Sequence, residues 1–294
     1  LAQFPGGTPR LVGTFLLFIV CSQQHGGISM SDLNPVLLEI SPDGVAMVIL
    51  NRPERKNAFD ESMVEALSDV FETLRVSEAV RIVFVRGAGT TFCAGADLDW
   101  MQRQARHDMD ENQADALALA TMLHRLHNLP QLTVALVQGG AFGGGAGLVA
   151  ACDYAIAIED ATFCFSEVRL GLTPATIAPY VIEAIGPRHA RALFVTAMPF
   201  GARRAFEVGL VQELATDLND LSKREERLAD LAFSAAPGAV EASKQLVRDL
   251  TGQPIDTALM HETAHRIAQR RASAEGREGL AAFLEKRSPT WAAQ

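Results

Sequence analysis

Only four of the 294 residues are cysteine, namely Cys21, Cys93, Cys152 and Cys164, and no paired metal-ligand or redox spacing links them. The seven histidines form no HExxH-type cluster either. These absences argue against a metal centre and a disulfide framework, and the cysteines read as reduced core residues of a cytoplasmic protein. Positive charge is also scarce: 26 Lys and Arg stand against 35 Asp and Glu, a net charge of −9. That balance argues against a surface that tracks nucleic-acid phosphates, so any anionic substrate must meet positive charge locally. No apolar run reaches the length of a bilayer span. Hydrophobic residues are plentiful at 48% of the chain, enough for one large domain or one with a helical appendage.

Residues 1–29 differ from the rest. Arg10 precedes an apolar run from Leu11 to Cys21, interrupted only by Gly13 and Thr14. A secretory signal wants small residues at its cleavage site, and Val20-Cys21-Ser22-Gln23 offers a poor one; a lipid anchor on Cys21 wants a small residue where Val20 stands. The reading adopted is an extension with little structure, outside the fold, ahead of Met30, the first methionine.

From Pro35 onward, short β-branched runs alternate with helical ones, as in an α/β core. Val36 to Ile40 and Val45 to Leu50 flank Ser41-Pro42-Asp43-Gly44 and predict a hairpin. Asp60 caps a helix with Met63, Val64, Leu67, Val70, Phe71 and Leu74 on one face. Strands follow at Arg81 to Val85 and Thr133 to Val137, with a helix from about Asn112 to Leu126 between them. A short buried helix at Gly143 to Ala151 leads to strands at Tyr154 to Ile158 and Thr162 to Phe165. This repeat of strand, strand and helix is consistent with stacked turns of a superhelix, although periodicity alone does not separate that from a doubly wound sheet. After about Leu214 the pattern is helical: Leu221 to Ala235, Ala239 to Leu250, Thr257 to Arg271 and Glu275 to Lys286. Such a tail suits packing or oligomerisation, with Leu259, Ala264, Ile267 and Ala268 on apolar faces.

Three patches carry candidate chemistry. Gly143-Gly144-Gly145 opens an apolar helix, so unpaired N–H groups and the positive end of the helix dipole could meet an anion at Gly144, unless the triplet is only a tight turn. Phe92-Cys93-Ala94-Gly95-Ala96-Asp97 has the small residues that let main chain wrap a ligand, or is simply a cramped loop; Asp97 can cap the next helix. Glu167 sits among Phe163, Phe165, Val168 and Leu170. Facing inward, its carboxyl would be desolvated and suited to proton transfer; facing outward, it is a surface glutamate beside Arg169. Each patch follows an expected strand, with 48 residues from Ala96 to Gly144 and 23 more to Glu167.

That set, with Asn51-Arg52-Pro53 and Asn57-Ala58, resembles the enoyl-CoA hydratase/isomerase (crotonase) superfamily from about Leu38 to Arg287. The resemblance implies a ClpP-like ββα superhelix over 30–228 and a helical trimerisation segment over 229–294. It implies an oxyanion hole from the amides of Ala96 and Gly144 for a thioester carbonyl, and Glu167 as catalytic acid/base. Lys56, Ala58, Ala94, Ala96 and Leu98 match positions along the CoA path, and Phe283 and Lys286 match a C-terminal helix that reaches the CoA of a neighbouring subunit. Lys56 and Lys286 would then supply the local positive charge. CoA is part of the substrate, so no separate cofactor and no metal are expected; homotrimers or hexamers are.

The pattern also departs from the family. Many hydratases of the superfamily carry a second glutamate where this chain has Gly147, so Glu167 must act alone, adding water or shuttling a proton as an isomerase would. Gly147 would also free space beside the β-carbon for a branched acyl chain. Ser166-Glu167-Val168-Arg169-Leu170-Gly171-Leu172 continuing to Pro174-Ala175 resembles the methylglutaconyl-CoA and isohexenylglutaconyl-CoA hydratase branch, whose substrates are β-branched and carry a distal carboxylate. Arg169 is a candidate partner for that carboxylate provided that it faces the pocket. A relative in this group binds RNA through a lysine-rich helix, but the matching segment here carries Asp60, Glu61, Glu65, Asp69 and Glu72 against Arg75, so neither nucleic acid nor membrane is an expected partner.

Overall fold

The structure, a computed structural model, describes residues 16–18 and 34–292. Strand β1 (Leu16–Phe18) pairs antiparallel with β2 (Val36–Ile40), which forms the expected hairpin with β3 (Val45–Leu50). Ser41 closes the turn, its Oγ accepting from the Val45 N–H at 3.0 Å. β1 lies inside the apolar run that patterning left without structure, so three residues of the 1–29 extension join the sheet as its edge. The remainder of that extension, Cys21 and Met30 included, lies outside the described residues.

From β3 onward one unit recurs: a strand in the large sheet, a short extended segment in a second layer, then a helix. β3 leads through Phe59 to α1 (Glu61–Arg75). β4 (Ile82–Gly87) leads through Cys93 and Ala96 to α2 (Leu98–Gln104) and α3 (Met109–His127). β5 (Leu132–Val137) leads through β6 (Gly140–Phe142) to α4 (Gly144–Ala151). β7 (Tyr154–Ile158) leads through β8 (Thr162–Cys164) to α5 (Ala178–Thr196). β9 (Phe200–Gly201), α6 (Ala202–Val208) and β10 (Glu213–Ala215) complete the sheets. The large sheet runs β1-β2-β3-β4-β5-β7-β10 and is parallel from β3. In the second layer Phe59 bridges to Ala96, Cys93 to Ala141, and β6 to β8, all parallel. Each unit therefore stacks on the one before it, which is the superhelix expected.

Side-chain alternation fixes the layers. Along β4, Val83 and Val85 enter the core beneath α1, α3, α4 and α5, while Ile82 and Phe84 enter a second core with Leu221, Leu228 and Ala232 of α7 (Leu218–Ser234). Burial on both faces is why the parallel strands read as unbroken apolar runs. α1 starts at Asp60, whose Oδ1 accepts the Met63 N–H at 3.0 Å, and buries the six apolar residues expected of it. Fully burying each such side chain contributes roughly 1.5–3 kcal/mol.

The proposed division at 228/229 falls inside α7. The packing changes instead after Ser234, where α8 (Pro237–Leu250) and α9 (Thr257–Ala272) bury no residue and α10 (Ala274–Glu285) buries only Ala282. Polar contacts dock α8: Lys244 Nζ meets Asp153 Oδ2 at 2.6 Å and Gln131 O at 2.8 Å. Among the described residues no helix is long and apolar enough to cross a membrane, and no group of three His, Cys, Asp or Glu side chains could hold a metal ion. Cys93, Cys152 and Cys164 are free thiols; burial pushes Cys93 up to about 12.

Candidate functional site

The sites expected at Ala96, Gly144 and Glu167 occupy the same step of successive units, the end of the second-layer segment just before a helix or turn. The chain 92–95 runs alongside 138–142: Phe92 N–H donates to Gln138 O (2.9 Å), Cys93 N–H to Gly140 O (3.0 Å) and Phe142 N–H to Cys93 O (3.0 Å). Such close approach leaves no room for side chains. A Cβ on Gly95, which has φ +91, would lie 3.0 Å from Phe142 O, and one on Gly145 would lie 2.7 Å from Cys93 Cβ.

On the other edge, Phe59 N–H donates to Gly95 O and Asp97 N–H to Phe59 O, both at 2.7 Å, and Ala94 N–H donates to Lys56 O at 3.0 Å. Because a trans peptide sets N–H opposite C=O, the Ala96 N–H points away from Phe59. The same rule applies at Gly144: Gly143 O accepts from Gly147 N–H at 3.0 Å along the helix, so the Gly144 N–H points out of the α4 N-terminus. Among the described residues neither amide has a hydrogen-bond acceptor.

Glu167 begins a 3-10 turn after β8, whose Cys164 O accepts the Gly143 N–H at 2.9 Å. Its carboxylate lies over Gly143: a Cβ there would come 3.1 Å from Glu167 Oε1. Gly143 has φ +50 and ψ −118, a backbone conformation that demands glycine, and a Cβ there would press on the carboxylate. Glu167 Oε2 is buried with no hydrogen-bond partner among the described residues, and burial raises the carboxyl above its ordinary value, against a smaller lowering by its own main-chain N–H. Beneath the turn, Phe165 packs edge-on against Phe194 at 5.1 Å and tilts against Phe200 at 6.0 Å, anchoring it.

Lys56 thus lies beside Ala94, the loop before Ala96 lies against Phe142, and the glycine before Gly144 lies under Glu167. Leu98 is 69% exposed at the start of α2. Phe283 and Lys286 are exposed at the end of α10, which packs against α9, and no hydrogen bond or ion pair joins either side chain to these loops. A cavity of about 530 Å³ between α1, α2 and α3 touches none of Ala96, Gly144 and Glu167, so the candidate site is marked by the two free amides and by a carboxylate that no other described residue bonds.

One expectation needs correction. The space beside Gly147 is not free, because a Cβ there would meet Ile177 Cγ2 at 2.2 Å and its Cβ at 2.7 Å. Gly147→Ala is expected to destabilise the fold by about 1–3 kcal/mol through overpacking, read from denaturant midpoints. Arg169, the candidate partner for a distal substrate carboxylate, is exposed, and its Nη2 donates to Ala197 O at 2.7 Å.

Sequence reasoning missed the groups that hold the loops. Arg52 donates to Ala58 O (2.7 Å) and pairs with Asp60 (2.9 Å) and Asp97 (3.1 Å). Asn57, fully buried, accepts from Arg52 N–H (2.9 Å) and donates to Ala88 O (2.9 Å) and Thr91 O (2.7 Å). The Asn51-Arg52-Pro53 and Asn57-Ala58 motifs were the available signal.

A family profile described as enoyl-CoA hydratase/isomerase matches residues 41–294. The putative enoyl-CoA hydratase of Thermus thermophilus is 33% identical over 253 residues, 86% of this chain and 99% of that protein. The crystal structure of a putative enoyl-CoA hydratase/isomerase (crotonase) from Legionella pneumophila is 44% identical with a TM-score of 0.83, over 88% of this chain and 99% of that one. An enoyl-CoA hydratase structure from Shewanella pealeana is 41% identical with a TM-score of 0.85, over 89% and 98% of the two chains. With the superhelix and its converging loops already in place, these likenesses make this chain a member of the enoyl-CoA hydratase/isomerase family.

Proposed function

We propose that this chain adds water across the double bond of a 2-enoyl-CoA, with Glu167 as its sole acid/base and the Ala96 and Gly144 amides as oxyanion donors. The observation that carries this reading is the pair of unbonded N–H groups on adjoining loops beside a carboxyl that burial keeps protonatable. Negative charge grows on the thioester oxygen as water bonds to C3, so fixed donors stabilise the transition state more than the ground state. Ionised Glu167 takes a proton from the attacking water and, once protonated, gives one to C2, leaving the carboxylate as it began. Lys56, exposed beside Ala94, is suited to meet CoA phosphates.

Phe283 and Lys286 would reach that path from a neighbouring subunit of a trimer. In support, Met260, Ile267, Leu280, Phe283 and Leu284 of α9 and α10 are all exposed in the single chain. A β-branched, methylglutaconyl-like acyl group is supported by the resemblance of 166–175 alone, since Ile177 occupies the room beside Gly147. Double-bond isomerisation is the competing reading, because one carboxylate also suffices to move a proton between carbons. Purified protein is expected to consume methylglutaconyl-CoA with loss of enoyl-thioester absorbance and gain of the mass of one water. Rearrangement of a 3-enoyl-CoA, with no water added to any 2-enoyl-CoA, would replace hydration by isomerisation.

A further inference from the structure

Phe59 touches both candidate oxyanion donors, one with its main chain and the other with its ring. Its N–H donates to Gly95 O and its carbonyl accepts the Asp97 N–H, both at 2.7 Å, a parallel bridge that grips the two peptides flanking Ala96. The first of these bonds ends on the carbonyl of the peptide whose N–H belongs to Ala96. Donation to that oxygen polarises the peptide and strengthens its N–H as a donor on the opposite side. The ring acts at the other loop. A Cβ on Gly144 would lie 3.0 Å from both Cδ2 and Cε2 of Phe59, so one ring edge occupies the place where a side chain at 144 would begin. Glu167 Oε1 stands in the same relation to Gly143, at 3.1 Å. The Gly143–Gly144 peptide, which carries the second donor, is therefore bounded by the acid at one Cα and by Phe59 at the other.

We propose that Phe59 is a positioning residue that sets the spacing of the two oxyanion donors: its backbone orients the Ala96 N–H, and its ring seats Gly144 beside it. This role deepens the function proposed above and rests on it for the bound thioester. Phe59 is itself well fixed. It is 1% exposed and sits between two anchors: Asn57, whose amide donates to Ala88 O at 2.9 Å and Thr91 O at 2.7 Å, and Asp60, which caps α1. A rigid ring packed in this way keeps one orientation, where a methionine in its place would adapt. Other ties between the loops act beside the donors. The main-chain bonds of 92–93 with 138–142 hold the segments that precede them, and Cys93, whose Cβ lies 2.7 Å from where a Cβ on Gly145 would be, backs the next residue of α4. The backbone half of the Phe59 grip survives any substitution, so a change of its side chain moves Gly144 relative to Ala96. Misplacing a donor costs the transition state more than the ground state, so the loss falls on kcat.

Phe59→Leu removes the ring edge and keeps an apolar side chain. Its kcat for a 2-enoyl-CoA is expected to fall about tenfold with KM little changed. The direct readout is the infrared carbonyl stretch of a bound acyl-CoA labelled with ¹³C at the thioester carbon. That frequency should drop on binding to the native protein and drop less on binding to the variant, because two well-placed donors weaken the carbonyl bond more than one does. Phe59→Met, which keeps the volume but not the rigid edge, should show the same changes and carries the test if the leucine variant does not fold. Phe71→Leu is the control: Phe71 is fully buried in α1, so its variant should lose comparable stability and leave both kcat and the carbonyl shift as they are. A folded Phe59 variant with the native carbonyl shift overturns the proposal, and so does an equal loss in Phe71→Leu. A native protein that leaves the carbonyl stretch where it is in free acyl-CoA overturns the oxyanion reading instead. The separation of Ala96 N from Gly144 N in crystals of the variant then decides the role of Phe59: a changed separation is expected, and an unchanged one removes it.

Discussion

Glu167→Gln is expected to lower turnover of a 2-enoyl-CoA by about 10²–10⁴-fold, the range one general acid–base group supplies, with KM little changed. The amide keeps the shape that lies over Gly143 but can neither accept the water proton nor deliver one to C2. Stability should move the other way with pH. Burial raises the Glu167 carboxyl, so the native state holds its proton at pH values where the unfolded chain has lost it. Whatever stability this group lends is complete below the ordinary carboxylate pKa and is lost as pH rises through the raised one. Glutamine does not titrate, so its Tm relative to the native protein should climb as pH rises from the ordinary carboxylate range through the raised Glu167 value. Kinetics with thermal scans across that range check both halves. Unchanged turnover would remove Glu167 from the mechanism, and a Tm difference that does not vary with pH would deny that its carboxyl is desolvated.

Local elements were legible where one signal sufficed. The hairpin at 36–50 announces itself by its turn residues, and α1 by its Asp60 cap and apolar face. α5 was hidden because Pro179 and Pro187 fall within it; the structure accommodates the first in its opening turn and the second just after Gly186, whose φ of 73 breaks the helix in two. The second-layer segments at Phe59 and Cys93 are single bridges, too short for any alternation to show. Motif order, spacing and family resemblance put Ala96, Gly144 and Glu167 forward, and the loops that carry them come close because successive units repeat and the ends of equivalent segments stack. What surrounds those residues was not legible. Ile177 meets Gly147 across 30 residues of sequence, and the absence of a side chain at 147 says nothing about what fills the place. Arg169 is two residues from Glu167, yet its tight turn sends the guanidinium to Ala197.

Arg52→Met should cost about 3 kcal/mol of stability and, separately, lower kcat by roughly 10²-fold. Arg52 ties together the caps of two helices. Asp60 starts α1, and Asp97 starts α2, where its Oδ1 accepts N–H groups from Asp99 at 2.9 Å and Trp100 at 3.4 Å. The side chains of Arg52, Asp60 and Asp97 are 17%, 19% and 5% exposed, so the loss strands a nearly buried carboxylate rather than a solvated one. The kinetic effect follows from position, because Asp97 adjoins the Ala96 amide and a shift of that peptide by an ångström misplaces one oxyanion donor. Burial pushes Asp97 up, but the Asp99 and Trp100 N–H groups, with Arg52 and Arg55 nearby, outweigh it and hold the carboxyl below its ordinary value. Its stabilising effect is therefore present above the ordinary carboxylate pKa and lost as pH falls through the depressed one. Without Arg52 the depression shrinks, so acid unfolding should begin at higher pH in the variant. A double-mutant cycle with Asp97→Asn should show about 1–3 kcal/mol of coupling; additive effects, with kcat intact, would mean that the ion pair only decorates the loop.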